Sequence, residues 1–402
     1  MPYADLLTEA AELADDTVAL RRDIHRHPEL ALQTPRTQAA VADRLDPLGL
    51  ALHKGTATTS LVAVLDGDHP GPTVLLRADL DALALHEDTG LDFGSELGGA
   101  MHACGHDAHT AMLVGAARIL VERRRELHGR VVFVFQPGEE GHGGARIMID
   151  EGLLSPAIVG DGPVSAFAIH QDPLLASGTV ASRGGPLMAS ADNFRIIVSG
   201  RGGHASMPHD ALDPIPIACE IVQAIQSHVT RTVDVFDPAV VTVARISAGT
   251  AANIIPETAT IDGTMRTVSD RRRATLRAGL ARLATGIAEA HGARATLKQP
   301  DGYPPTVNDE GEAAWALDAA RDLLGAERTL ALAHPQMVAE DFAYVLQRVP
   351  GAMVFLGTRS ADGPAGWTPQ PNHSNRMRID ESALATGVAL HARFALGKLA
   401  GR

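Results

Sequence analysis

Cysteine is scarce here: Cys104 and Cys219 are the only two in a chain of 402 residues. Two thiols cannot build a disulfide framework, so a reducing, cytoplasmic setting is expected. Long apolar runs are missing as well, and none approaches the ~18 residues of a membrane span. The first residues, MPYADLLTEAAELADD, carry acids where a secretory signal would carry bases. Positive charge is in deficit, with 35 Lys and Arg against 48 Asp and Glu and a net charge of −13. Such a surface steers neither nucleic acid nor an anionic membrane towards itself. Aromatic residues make up 3%, and there is no internal repeat or low-complexity tract. What remains is an ordinary globular composition, 45% apolar and 21% charged. At about 150 residues per domain, the length suits two domains.

Up to about residue 180, helical stretches alternate with short, almost continuous apolar runs: TSLVAVLDG, PTVLLRADLD, GRVVFVFQPGEE and VSAFAIHQDP. Runs of that kind suit strands buried on both faces, as in a largely parallel sheet covered by helices. Stretches such as HTAMLVGAARILVERRREL supply the crossovers. From about residue 187 the pattern becomes strand, helix, strand, strand, helix, strand, the order of a small split βαβ sandwich. After DGYPPTVND the first pattern resumes, with AMVFLG as a strand and a helix from about Asp380. The expectation is an α/β fold with a helix-covered, largely parallel mixed sheet over residues 1–186 and 302–402. A smaller α+β domain over residues 187–301 is inserted into it. Cys219, in the helical pattern IACEIVQAI, is expected to pack in a core.

Ligands of open α/β sheets bind outside the carboxyl ends of the strands. Here TVLLRADLD ends in Asp79 and Asp81, RVVFVFQPGEE in Glu139 and Glu140, and VSAFAIH in His170. The segment MHACGHDAHT adds Cys104 and His106 on a loop leading into a helix, and PQPNHSN adds His373. One Asp after a strand is ordinarily a turn residue, and one His an ordinary hydrogen-bonding side chain. Acids, histidines and a thiol at the same end of adjacent strands are another matter. Clustered carboxylates repel one another unless a cation compensates them. Thiolate and imidazole suit zinc, while carboxylates admit manganese or cobalt. More than four candidate donors point to a two-metal centre, and the doublet Glu139-Glu140 leaves one carboxylate free to move protons. His25 and His27, in DIHRHPEL, are read as structural.

Segments through nearly the whole chain carry a resemblance: HRHPEL, LLRADLDAL, MHACGHDAHTAMLVGAA, FQPGEEGHGGA, GRGGHASMPHDALDPI, ANIIPETATIDGTMRT, AEDFAY and NHS, in that order. The chain resembles the co-catalytic metallopeptidase-like amidohydrolases, which include aminoacylases, hippurate hydrolases, N-acetyl-diaminopimelate deacetylases and plant indoleacetyl-amino-acid hydrolases. The resemblance implies a zinc-peptidase-like catalytic domain with a ferredoxin-like lid and dimerisation domain. It makes Cys104, His106, Glu140, His170 and His373 the ligands of two divalent metal ions (Mn, Zn or Co), with Cys104 where most branches have a bridging Asp. Glu139 becomes the general base, passing a proton from the attacking water to the leaving amine. His204 resembles the lid histidine that stabilises the oxyanion, from the partner's lid in dimeric relatives. Asp81 takes an orienting role, and Asn253 and Arg266 resemble positions that hold the substrate carboxylate. The implied substrate is an N-acyl amino acid, in a homodimer joined through the lid. The alternatives are a metallo-dipeptidase or other peptidase on the same scaffold, and a ligand-binding relative without catalysis. Two departures, Ala84 in DALALHEDTG and Thr34 in PELALQTPRT, touch no proposed ligand.

Overall fold

The computed structural model describes residues 3, 5–162, 164–361 and 368–401. Its backbone contacts divide the chain into two compact units. The larger comprises Met1–Leu187, Val307–His334 and Asp341–Arg402; the smaller comprises Met188–Thr306 and Pro335–Glu340.

The larger unit is built on an eight-stranded sheet. Its first strands are β1 (Ala51–Lys54), β2 (Leu61–Asp66), β3 (His69–Asp79), β4 (His128–Gln136), β5 (Val164–Ala176) and β6 (Val180–Ser182). The spatial order is β1, β2, β4, β3, β5, then Gly351–Arg359, β6 and Thr329–Ala331. The central strands β4, β3, β5 and Gly351–Arg359 are mutually parallel, and antiparallel pairs flank them. Thr73 to Asp79 are buried without interruption, so both faces of β3 are covered. The helix His106–Glu122 follows the same logic: it is buried almost all round, packing on Ala14–Arg26 and Leu384–Lys398.

Register places the polar residues. Asp79 pairs with Gln136 across β3 and β4. Arg77 pairs with Ala168 across β3 and β5, which sets His170 level with Asp79. Side chains just beyond Asp79 and Gln136 therefore emerge beside His170, at the carboxyl edge of the sheet.

The smaller unit has a four-stranded antiparallel sheet in the order Ala239–Ala248, Thr258–Thr267, Asp192–Ser199, Arg294–Lys298. Helices Pro214–Thr232 and Asp270–Ala290 pack on it around Ile196, Ile221, Ile225, Ile261 and Leu280. Both helices start on a side-chain cap. Asp213 accepts the amide of Ile215 ahead of a proline, and Ser269 accepts that of Arg272. Along Thr258–Thr267 buried residues alternate with more open ones, as expected of a sheet with helices on one face. The core expectation for Cys219 fails, because this thiol is exposed. The buried stripe of its helix runs through Ile217, Ala218, Ile221 and Ile225. Residue 219 lies a further ~100° round from 218, on the outward face.

Candidate metal centre

In the larger unit the donors converge. Sγ of Cys104 and ring nitrogens of His106 and His170 all lie within 4.8 Å of one another, as do donors of Cys104, Glu140 and His373. Cys104 belongs to both sets. A third set joins His106 to Glu139 and Glu140. Cys104 Sγ lies 3.5 Å from His170 Nε2, and Glu140 Oε1 lies 3.2 Å from His373 Nε2.

Two of the imidazoles are oriented from behind. His106 Nδ1 donates to the Asp81 carbonyl at 2.7 Å, and His170 Nδ1 to the Gln171 carbonyl at 2.7 Å. A carbonyl only accepts, so Nδ1 carries hydrogen and the lone pair of the neutral ring sits on Nε2, facing the cluster. His106 Nε2 is buried with no hydrogen-bond partner among the described residues, 3.6 Å from Asp79 Oδ2 and 4.0 Å from Glu140 Oε1. Burial opposes a charge on His106, but the carboxylates of Asp79, Asp81 and Glu140 outweigh it and push its pKa up to about 9. For His170, burial dominates, the His109 ring adds to it, and the pKa falls to about 3.

These observations test whether divalent cations suit the site. An unpartnered imidazole nitrogen, a buried thiol and carboxylates that together attract positive charge form a donor set of N, S and O. That set fits zinc, manganese or cobalt.

Asp81 is fully buried, and its carboxylate caps the acidic doublet. Oδ1 accepts the amide of Glu139 at 2.9 Å and Oδ2 that of Glu140 at 3.1 Å. Glu139 Oε1 also accepts the amide of Asp341 at 3.4 Å. His373 joins the cluster from a loop with φ +67°, a left-handed conformation uncommon outside glycine. Its amide is anchored to the Ala103 carbonyl at 2.8 Å.

Other neighbours are buttresses. His109 Nδ1 lies 2.6 Å from Asp79 Oδ1, and its Nε2 accepts the amide of Gln171 at 2.8 Å, which leaves no lone pair for a metal. Asp79 Oδ2 is in turn held by Arg77 at 2.7 Å. The sequence pattern marks His106 as a candidate donor and gives no role to His109, Arg77 or Gln171. His25 is buried in a hydrogen-bonded cluster. Its Nδ1 is 2.8 Å from Asp107 Oδ2, which also binds Arg21 at 2.9 Å. His27 Nδ1 donates to the Asp23 carbonyl.

His204, Asn253 and Arg266 lie in the smaller unit. His204 pairs with Ile254 in a short ladder, and the amide of Ala205 donates to the Asn253 carbonyl at 3.1 Å, so these two exposed residues share one loop cluster. Arg266 stands on the strand Thr258–Thr267, its guanidinium 3.4 Å from the Ser190 carbonyl.

Residues 75–397 match the description of peptidase family M20/M25/M40. The chain belongs to that family and is a metal-dependent hydrolase of linear amide bonds. It is 38% identical over 395 residues to thermostable carboxypeptidase 1 of Saccharolobus solfataricus, covering 97% of both chains. Over 380 residues it is 38% identical to the N-acetylcysteine deacetylase of Bacillus subtilis, covering 94% of this chain and 96% of the relative. The YXEP protein of Bacillus subtilis, described as a dinuclear metal-binding peptidase of family M20, superposes with a TM-score of 0.82. The two are 34% identical, with 97% and 99% of the chains covered. Among the described residues, no helix is long and apolar enough to cross a membrane.

Proposed function

We propose that this protein hydrolyses N-acyl amino acids to a carboxylic acid and a free amino acid, at a centre of two divalent cations. The carrying observation is the double donor set that shares Cys104. Cys104, His106 and His170 would hold one cation, and Cys104, Glu140 and His373 the other. The cations would act as Lewis acids, polarising the amide carbonyl and making water acidic enough to attack at neutral pH.

The rest falls to the chain's own side chains. Glu139 is the spare carboxylate of the doublet, fixed through its amide by Asp81 and through Oε1 by the amide of Asp341. It takes the proton of the attacking water and returns it to the leaving nitrogen. His204 Nδ1 accepts the Ser206 amide at 3.1 Å, so the ring hydrogen is on Nε2. That N–H is the donor for the oxyanion. Asn253 and Arg266 hold the carboxylate of the substrate. The inserted unit, residues 187–301 by the sequence pattern, serves as lid and as the surface of a homodimer, and the enzyme works in the cytoplasm.

The relatives' names bear on the substrate. A carboxypeptidase and a deacetylase both release an amino acid with a free carboxylate, and they differ in what lies on the acyl side. A peptidase reading therefore remains the second one, favoured by the carboxypeptidase relative. The deciding assay is amino-acid release from N-acetyl, N-benzoyl and N-indoleacetyl amino acids and from dipeptides, after chelation and after adding back Mn, Zn or Co. Metal-restored hydrolysis of acylated substrates supports the proposal. Turnover of dipeptides together with no turnover of any acylated amino acid would replace it by the peptidase reading.

A further inference from the structure

The candidate ligands Cys104, His170 and His373 come from three segments far apart in the chain, and one uncharged residue reaches all three segments, two through its side chain and the third through its backbone carbonyl. Gln171 is fully buried. Its Nε2 donates to the Cys104 carbonyl at 2.8 Å and to Asn372 Oδ1, beside His373, at 2.6 Å. Its Oε1 accepts the hydroxyl of Thr358 at 2.7 Å. Its own carbonyl receives His170 Nδ1, and its amide donates to His109 Nε2. Both side-chain hydrogens, the side-chain oxygen and both backbone groups are thus in use. The same side chain explains Gly105, which separates Cys104 from His106. A Cβ there would lie 2.5 Å from Gln171 Cγ, on a backbone with φ +82°.

We propose that Gln171 is a positioning residue that sets the spacing of the thiolate and the imidazoles of His170 and His373. This inference rests on the reading of those three residues as metal ligands. A side chain that merely filled space could be replaced by one of equal size. One that positions ligands must keep its donors, because each N–H holds an acceptor next to a ligand. Gln171→Glu separates the two cases. It keeps the volume and the acceptor for Thr358, removes both donors, and sets an anionic oxygen against the Cys104 carbonyl and Asn372 Oδ1.

The test is a Co2+ titration of the chelated protein, read from the thiolate-to-cobalt charge-transfer absorption. Loss of a group that orients metal ligands typically weakens binding about 10–100-fold. Gln171→Glu is expected to show that loss and an altered band, with the far-ultraviolet circular dichroism of the wild type. Wild-type Co2+ affinity and band in Gln171→Glu would overturn the inference. If the wild-type protein itself binds Co2+ without a thiolate band, the ligand reading of Cys104 falls, and this inference with it. Should Gln171→Glu fail to fold, Asn372→Ala removes only the arm to the His373 segment. It is expected to weaken one of two Co2+ equivalents, and unchanged binding of both would equally overturn the proposal.

Discussion

Replacing Asp81 by Asn should leave the chelated protein about as stable as before while crippling the enzyme. Burial pushes Asp81 up to about 6 from an ordinary 3.8, against the opposing pull of His106 and of the two amides it binds. The ionised carboxylate therefore carries a net cost of about 3 kcal/mol at neutral pH, its hydrogen bonds included. Asparagine removes the charge but can accept only one of the amides of Glu139 and Glu140. The other N–H then faces the side-chain NH2, and one buried donor without an acceptor costs about 1–3 kcal/mol. The two effects nearly cancel, so urea unfolding at pH 7 should place the variant within about 2 kcal/mol of the wild type. Activity has no such compensation. The doublet loses one of its two anchors, and kcat should fall about 10–100-fold.

The pH dependence has a definite sign. A carboxyl raised in the folded state binds more protons there than in the unfolded chain, so its contribution falls as pH rises from about 4 to 6 and is flat above. The stability difference, wild type minus variant, should follow that curve in chelated samples. A variant destabilised by more than about 4 kcal/mol with kcat unchanged would refute the reasoning.

Glu139→Gln should keep wild-type Co2+ binding and lose at least about 10²-fold in kcat, the range of a missing general base; retained turnover would remove Glu139 from that role. Gly105→Ala forces a side chain onto a left-handed backbone and into Gln171. It should cost more than the ~1–2 kcal/mol of the backbone alone and weaken Co2+ binding, as read by urea unfolding and titration. Arg21→Leu strips a buried guanidinium from Asp107 and Glu381, 2.9 and 2.6 Å away. Asp107 keeps His25 at 2.8 Å but loses its permanent cation, which should lower stability by about 3–5 kcal/mol, and a smaller loss would mean that His25 or water compensates the carboxylate.

Much of this protein is legible in its residues. The almost continuous apolar runs within Thr73–Asp79 and His128–Gln136 announce strands covered on both faces, and they lie at the centre of the sheet. The strand, helix, strand, strand, helix, strand order read from about residue 187 recurs in the smaller unit. The donors are visible too, because acids, histidines and a thiol cluster just where strands end. These features are local: side-chain chemistry and period suffice to read them.

Tertiary structure decided the rest. In HACGHDAH the spacing does not tell a ligand from a buttress, yet His106 Nε2 is left without a partner while His109 Nε2 accepts an amide 62 residues away in sequence. Asp79 and Asp81 are two residues apart and equally buried. One is held between Arg77 and His109, and the other caps Glu139 and Glu140. Gln171 carries no charge and fits no motif, yet its bonds reach Cys104, Thr358 and Asn372. Residue type determined which groups could bind a cation. Which of them keep a lone pair to offer depends on hydrogen bonds from distant segments, and only the folded chain brings those segments together.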